Sequence, residues 1–204
     1  MKIGVLAMQG AFIEHINILQ RVKADAVPVR LPEHLEGLEG LIIPGGESTS
    51  ISKLMKDYNL MEPVRDMALK GLAIMGTCAG MILLAKEISD ADASPLGLMD
   101  IKVRRNAFGR QVDSFETMLA IPALGDEPFP AVFIRAPFIE RVYGDARVLA
   151  RLPDETIVAA RQGKLLATAF HPELTGDLRF HEYFIDIIAG REGTLSRREQ
   201  FCKR

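Results

Sequence analysis

The sequence has little that would tie the protein to a membrane, a nucleic acid or an oxidising compartment. Among its 204 residues, no apolar run approaches the roughly 20 residues that cross a bilayer. The first residues lack the long apolar region and cleavage site of a secretory signal. The formal net charge of −2 gives no reason to expect nucleic acid or an anionic membrane as a partner. The cysteines Cys78 and Cys202 make no disulfide framework, so we expect a cytoplasmic protein.

Several common functional patterns are also missing. Neither of the glycine-rich phosphate-binding motifs, GxxxxGK[ST] and GxGxxG, occurs, and no Cys or His pair has the spacing of metal ligands. We therefore expect neither a cofactor nor a metal. No repeat, low-complexity segment or Ser/Pro-rich linker divides the chain, and its length suits one domain. We predict a single domain over residues 1–190 and a polar tail over residues 191–204.

Short apolar segments alternate with helical patterns in the first half of the chain. The predicted strands cover residues 3–8, 27–31, 40–44 and 72–75, and the predicted helices cover residues 12–22, a segment opening at 45–50, 61–70 and 79–88. This order predicts an α/β protein with a mainly parallel sheet and helices on both faces. Ligands of such sheets bind beyond the carboxyl ends of the strands.

The second half is richer in strands. We predict strands over residues 101–105, 117–121, 131–134 and 148–152, a hairpin of residues 156–161 and 164–170, and a closing helix over residues 178–188. The sheet is therefore expected to be mixed rather than purely parallel.

The segment Gly76-Thr-Cys-Ala-Gly80 joins a predicted buried strand to a predicted helix. A cysteine at such a sharp turn is typical of a nucleophile elbow, with glycines that allow the turn and the approach of a substrate. The N-terminus of the following helix favours the thiolate of Cys78. The alternative is a buried structural cysteine, and the choice between them depends on finding a base.

His171 is the strongest candidate for that base. It ends an apolar strand, precedes Pro172, and is expected at the same sheet edge as Cys78. Glu173 lies two residues further on, where its carboxylate can accept a hydrogen bond from the imidazole and fix the tautomer. The remaining histidines are predicted to be surface or partly buried side chains: His15, His34 and His181.

The segment Pro44-Gly-Gly-Glu-Ser48 supplies a candidate oxyanion hole. Two glycines before a helix N-terminus, with Ser and Thr available to cap the helix, can turn backbone N–H groups into a cleft. The alternative interpretation is an ordinary glycine-rich turn before a helix.

Together these segments resemble the class I, or triad-type, glutamine amidotransferases. Within that class the chain resembles, over nearly its whole length, the PdxT family of glutaminase subunits of pyridoxal 5′-phosphate synthase. The matching segments are Gly4-Val-Leu-Ala-Met-Gln-Gly10, Glu14-His15, Pro44-Gly-Gly-Glu-Ser-Thr49, Gly76-Thr-Cys-Ala-Gly80, Arg105-Asn-Ala-Phe-Gly-Arg-Gln111, Phe133-Ile-Arg-Ala-Pro137 and Phe170-His-Pro-Glu173. The Arg105 and Phe133 segments are the most specific to this family.

The resemblance implies a three-layer, flavodoxin-like fold and the hydrolysis of L-glutamine to L-glutamate and ammonia through a thioester. It implies that Cys78 is the nucleophile, His171 the acid and base, and Glu173 the residue that orients His171. It assigns the oxyanion hole to backbone N–H groups of Gly46 and Ala79. The implied substrate-binding residues are Gly46, Glu47, Ser48, Arg105, Ile134 and Arg135.

The resemblance also implies a partner. In the family, ammonia passes to the synthase subunit, PdxS, within a hetero-oligomeric complex, and the partner activates the glutaminase. Gln9, Glu14 and His15 resemble positions near that interface. His15 has the alternative interpretation of an ordinary surface residue of the first helix.

Three other functions are compatible with parts of this pattern. A cysteine peptidase or glyoxalase-like protein on the same sheet commonly has His directly after the elbow cysteine, whereas Ala79 stands here. An amidotransferase that supplies another acceptor is a nearer rival. A non-catalytic regulatory subunit is disfavoured by the complete set of Cys78, His171 and Glu173.

Overall fold

A computed structural model describes residues 1–89, 95–105 and 114–191 of the chain. The helices are α1 (Phe12–Arg21), α2 (Ser48–Asp57), α3 (Met61–Leu69), α4 (Ala79–Leu84) and α5 (Arg179–Ile188). The strands are β1 (Lys2–Leu6), β2 (Asp25–Val29), β3 (Gly40–Ile43), β4 (Ala73–Thr77), β5 (Ala85–Ile88), β6 (Met99–Arg104), β7 (Ser114–Leu119), β8 (Phe129–Ile134), β9 (Phe138–Val142), β10 (Arg147–Arg151), β11 (Ile157–Gln162) and β12 (Leu165–Thr168).

The main sheet has a parallel half and a mixed half. In the described part of the chain, β2, β1, β3, β4 and β12 are adjacent in that order and run parallel. The sheet continues through antiparallel β11 and β9 to β6 and β5, and β10 also pairs with β11. The predicted mixed, mainly parallel α/β sheet is confirmed.

The chain reverses its direction across the sheet at β1. It first moves from β1 through α1 to β2, and then passes to the other side of β1 through β3, α2 and α3 to β4. Right-handed crossovers in opposite directions put α1 on one face and α2 with α3 on the other. The crevice for a ligand in such sheets opens beside the reversal, at the carboxyl ends of the strands.

The hairpin of β7 and β8 lies outside the main sheet and is held to it by phenylalanine rings. Phe129 and Phe133 of β8 contact Phe170, which follows β12, with ring centroids 5.8 Å apart in each pair. Phe180 of α5 packs against Phe170 at 5.2 Å. These tilted and edge-on contacts are favourable beyond the apolar area that they bury. They fix β8 beside the segment that carries His171.

Two elements differ from the sequence predictions. The helix predicted to run through residue 88 ends at Leu84, and residues Ala85–Ile88 form β5, parallel to β6. Every residue of α4 is buried, so its sequence shows no polar face that would mark its end. The strand Phe138–Val142 was not predicted, because only Ile139 in it is buried and no alternating pattern results.

Within the described ranges, no helix combines the length and apolarity that a membrane crossing requires. The division into one domain and a tail stays a prediction. Residues 192–204, including Cys202, lie outside the described part of the chain, as do residues 106–111 of the Arg105 motif.

Candidate active site

Cys78 occupies a strained turn between β4 and α4. Its backbone has φ 49° and ψ −104°, outside the regions that L-residues ordinarily adopt. Strain of this kind costs on the order of 1–3 kcal/mol and persists where the surrounding structure enforces it, commonly at functional sites. Only 7% of Cys78 is exposed. The predicted strand–cysteine–helix elbow is confirmed.

The two glycines beside the elbow let backbone segments approach each other closely. A Cβ on Gly80 would overlap the carbonyl of Ile43 in β3, and a Cβ on Gly76 would meet the carbonyl of Gly80. The positive φ belongs to Cys78, and neither glycine shares it. Gly76 therefore allows the tight turn, as expected, without itself adopting the positive φ. Both glycines allow α4 to approach the ends of β3 and β4 closely.

Neighbouring parallel strands bring His171 to Cys78. Thr77 of β4 is opposite Thr168 of β12, and the backbone N–H of Cys78 donates to the carbonyl of Thr168 at 2.7 Å. The backbone N–H of His171 donates to Val132 of β8 at 2.8 Å, and the Sγ of Cys78 lies 4.0 Å from the carbonyl oxygen of Ile134. The predicted position of His171, at the same sheet edge as Cys78, is confirmed.

His171 and Glu173 form a short, buried hydrogen bond. Nδ1 of His171 donates to Oε1 of Glu173 at 2.6 Å, and the Glu173 side chain is fully buried. Burial lowers the pKa of His171, but its hydrogen bonds with Cys78 and Glu173 and the charges of both outweigh burial and raise the pKa to about 10. Burial raises the pKa of Glu173. The contacts with His15 and His171 lower it by more than burial raises it, so the pKa lies below its ordinary value. The imidazole therefore carries a proton at neutral pH beside the cysteine sulfur.

The Gly45–Gly46 turn closes the other side of the cysteine. Gly45 packs so closely on His171 and on the Cβ of Cys78 that any side chain at Gly45 would collide with the imidazole. The carbonyl of Gly45 accepts from the N–H of Ala11 at 3.3 Å. Because the peptide bond is planar and trans, this contact directs the N–H of Gly46 to the opposite side, away from Ala11.

Glu47 caps the helix that follows this turn. Its carboxylate accepts from the backbone N–H groups of Thr49 at 3.0 Å and Ser50 at 2.6 Å, and α2 begins at the partly buried Ser48. Hydrogen bonds from Ser50, and then from Thr49, lower the pKa of Glu47 to about 2 despite some desolvation. We expected Ser or Thr to cap the helix, and this was wrong. The longer Glu side chain reaches the same two N–H groups from one position earlier.

The chain matches the SNO glutamine amidotransferase family over residues 5–189. The chain belongs to this family. It is 61% identical to the pyridoxal 5′-phosphate synthase subunit PdxT of Moorella thermoacetica, over 92% of this chain and 100% of that protein. It is 62% identical to the subunit of the same name of Herpetosiphon aurantiacus, again over 92% and 100%.

A solved structure described as a glutamine amidotransferase has the same fold. It is 50% identical to this chain and superposes with a TM-score of 0.86, covering 92% of this chain and 98% of its own. As a member of the SNO glutamine amidotransferase family, the chain therefore has the class I amidotransferase α/β architecture that its sequence predicted.

In this SNO family member the predicted substrate-binding residues come from three parts of the fold. Gly46, Glu47 and Ser48 form the turn after β3, and Ala79 begins α4 directly after Cys78. Ile134 and Arg135 are exposed at the end of β8, where Arg135 has a positive φ of 43°. Arg105 is partly buried directly after β6. The assignment of glutamine binding to these residues stays a prediction.

The predicted partner residues lie close to this site. Oε1 of Gln9 accepts from the N–H of Glu47 at 2.8 Å, so Gln9 lies over the Gly46–Glu47 backbone. Glu14 is partly exposed on α1. The side chain of His15 is fully buried, so the surface interpretation was wrong for it. A role of these residues at a partner interface stays a prediction.

His181 is also fully buried, against expectation, while His34 is partly buried as expected. Nδ1 of His15 lies 2.9 Å from Nε2 of His181, and Nε2 of His15 lies 3.3 Å from Oε2 of Glu173. Helical spacing holds a signal for His15, which is three residues after Phe12 and four before Leu19, on the apolar face of α1. Its contact with Glu173 depends on the packing of α1 against the segment that follows β12 and is absent from the sequence pattern.

Proposed function

We propose that this chain is the glutaminase subunit of pyridoxal 5′-phosphate synthase, which hydrolyses L-glutamine to L-glutamate and ammonia. The observation that carries the proposal is the position of Cys78 beside the hydrogen-bonded pair of His171 and Glu173, at the carboxyl ends of adjacent parallel strands. This series lies in a chain of the SNO glutamine amidotransferase family. The high identity to proteins named PdxT supports the assignment to this synthase.

The geometry suits a two-step acyl transfer. The sulfur of Cys78, with the proton of the pair held on His171, attacks the side-chain amide carbon of glutamine and forms a C–S bond. His171 gives its proton to the departing nitrogen, the C–N bond breaks, and ammonia leaves. Water then attacks the thioester and gives a proton to His171, the C–S bond breaks, and glutamate is released. Glu173 holds the imidazole in the tautomer that both steps need.

A negative charge develops on the substrate oxygen in each step, and hydrogen-bond donors are needed to stabilise it. In this proposal the backbone N–H groups of Gly46 and Ala79 supply them. Arg105 or Arg135 pairs with the α-carboxylate of glutamine, since guanidinium groups bind carboxylates in a two-pronged geometry. Glu47, Ser48 and Ile134 complete the substrate site.

The proposed partner is the synthase subunit, PdxS, which receives the ammonia inside a complex. Ammonia is mostly protonated in neutral water and then reacts poorly, so delivery within a complex preserves it. Gln9 and Glu14 are the proposed partner side of the site, with Gln9 in contact with the Glu47 backbone, whereas the fully buried His15 can act there only through its neighbours. A cytoplasmic location is part of the proposal, because the thiol of Cys78 must stay reduced.

The test is the release of ammonia from L-glutamine by the purified chain, alone and with the synthase subunit. We expect little ammonia from the chain alone and much more from the mixture. Cys78→Ala should abolish hydrolysis and leave assembly intact, while Cys202→Ser, which changes the other cysteine, should retain activity. Hydrolysis that survives Cys78→Ala would overturn the nucleophile. Recovery of a different acceptor enzyme in a pull-down from the native lysate would overturn the synthase assignment.

A further inference from the structure

A pair of buried histidines stands behind Glu173, on the side away from His171. His15 comes from α1 and His181 from α5, and neither side chain has any exposed surface. Their rings contact through Nδ1 of His15 and Nε2 of His181, 2.9 Å apart. Nε2 of His15 is 3.3 Å both from Oε2 of Glu173 and from Oγ1 of Thr77 in β4. The pair therefore continues the series from Cys78 through His171 and Glu173 into the protein interior.

Two buried polar atoms without hydrogen-bond partners indicate which ring nitrogens of His15 and His181 carry hydrogen. Among the described residues, Oε2 of Glu173 and Nδ1 of His181 are buried without a hydrogen-bond partner. If His15 carried its hydrogen on Nδ1, two lone pairs would face each other at Glu173, and His181 would bury an N–H with no acceptor. With the hydrogen on Nε2 of both rings, His181 donates to His15 and His15 points a donor at Glu173. The unmatched group of His181 is then a lone pair rather than an N–H, and Oε2 of Glu173 faces a donor at 3.3 Å rather than a second lone pair, which is the smaller cost.

We propose that His15 is a positioning residue for Glu173, whose second carboxylate oxygen receives the Nε2–H of His15 while the first orients His171. His181 sets the direction of His15 by donating to its Nδ1. The 3.3 Å separation is longer than a good hydrogen bond, and such contacts commonly tighten once a substrate is bound. This inference rests on the proposed glutaminase function.

The charges around His15 are consistent with a neutral ring. Burial lowers the pKa of His15, the carboxylates of Glu173 and Glu14 raise it, and the charge on His171 lowers it. Burial, followed by the repulsion that a proton on His15 would exert, lowers the pKa of His181 well below its ordinary value. A neutral donor can stabilise ionised Glu173 without adding a second buried positive charge beside His171. Loss of that donor would leave a buried carboxylate oxygen unpaired and weaken the imidazolium that Glu173 supports.

The experiment compares His15→Leu with His15→Gln in the full chain carrying Cys202→Ser. Leu removes the donor, whereas the amide of Gln reaches toward the position of Nε2 and can restore it. Two quantities are measured against pH: kcat for L-glutamine in the complex with the synthase subunit, and the rate of alkylation of Cys78 by iodoacetamide. We expect His15→Leu to lower kcat by about 10- to 100-fold, as when outer partners of functional histidines are removed. The basic limb of the kcat profile of His15→Leu should move to lower pH, and the onset of Cys78 alkylation should move to higher pH. His15→Gln should recover most of the lost kcat.

Leu19→Ala, a buried change on the same helix, is the control for general damage, and it should lower the Tm without moving either pH profile. A His15→Leu variant that loses stability but keeps both profiles would overturn the proposal. If that variant does not fold, His181→Phe provides the test, since it removes the donor to Nδ1 of His15, and unmoved profiles there would overturn the proposal as well. Failure of the unmodified complex to release ammonia would instead contradict the proposed function, and the alkylation profile would still test His15.

Discussion

The carbonyl oxygen of Ile43, at the end of β3, lies against Gly80 in the space that any larger residue would need for its Cβ. This contact seats the first turn of α4 on the neighbouring strand. The Gly45–Gly46 turn, which follows the same strand, packs against the Cβ of Cys78. The distance between the proposed oxyanion donors thus depends on the close contact between α4 and the end of β3.

Gly80→Ala should therefore damage both stability and activity. The added methyl group meets a backbone carbonyl that cannot rotate away, so we expect a loss of about 1–3 kcal/mol in the free energy of unfolding, as for other overpacked sites. Urea unfolding and kcat for glutamine check the two effects. Gly176→Ala is the matched control, since no atom lies within 4 Å of the Cβ position there. Equal behaviour of the two variants would contradict this account of the elbow.

Glu173→Gln should reduce turnover, and it should lower the stability that the raised pKa of His171 contributes. The amide keeps the shape of the carboxylate but removes the charge that supports the His171 imidazolium, and it can present N–H where an acceptor is needed. Replacing the equivalent acid of a serine-protease triad by its amide lowers kcat by about 10⁴-fold, so we expect a loss of about 10²- to 10⁴-fold. Steady-state kinetics in the complex measure it. A kcat within a factor of a few of the unmodified chain would rule out an orienting role.

The raised pKa of His171 predicts a pH dependence of stability. The pKa is 6.5 for an ordinary histidine and about 10 in the folded chain, so folding favours the protonated form. The stabilisation is complete below about pH 6.5 and is lost as the pH rises through about 10. Urea unfolding at several pH values should show this decline, and His171→Asn should reduce the slope between pH 7 and 10. An identical slope in the variant would contradict the assignment of the proton to His171.

Glu47→Ala should destabilise the start of α2. The side chain accepts from two N–H groups that otherwise have no partner within the helix, and removal of such a cap costs about 1 kcal/mol. Thermal unfolding checks the expected fall in Tm. Glu47→Asp, which retains a carboxylate suited to capping, should lose less. If Asp and Ala lower the Tm equally, the capping contacts contribute nothing measurable to stability.

The positions of the central residues could be predicted because each follows directly from a strand end. Cys78 and His171 each come just after an apolar strand, and parallel strands present their carboxyl ends at one edge. The Glu173 contact was predictable for the same reason, since it is only two residues from His171. The order of strands and turns along the chain was enough to predict the positions of Cys78, His171 and Glu173.

Contacts between distant elements could not be predicted in the same way. His15 and His181 are 166 residues apart, and each has an ordinary helical sequence around it. The end of α4 at Leu84 was missed because all sides of that helix are buried and periodicity carries no information there. The cap was expected from Ser or Thr, and Glu47 provides it, because the reach of a longer side chain is not encoded in the spacing.

The sequence by itself determined the α/β class, the elbow at Cys78 and the His171–Glu173 pair, since strand–turn–helix order and short-range spacing act locally. Only the tertiary structure decided that Gly80 accommodates a strand carbonyl, that Gln9 lies over the Gly46–Glu47 backbone, and that His15 stands behind Glu173. These relationships arise when helices from both ends of the chain pack against one sheet. Their distances are set by close packing, and the pattern of residues along the chain does not specify them.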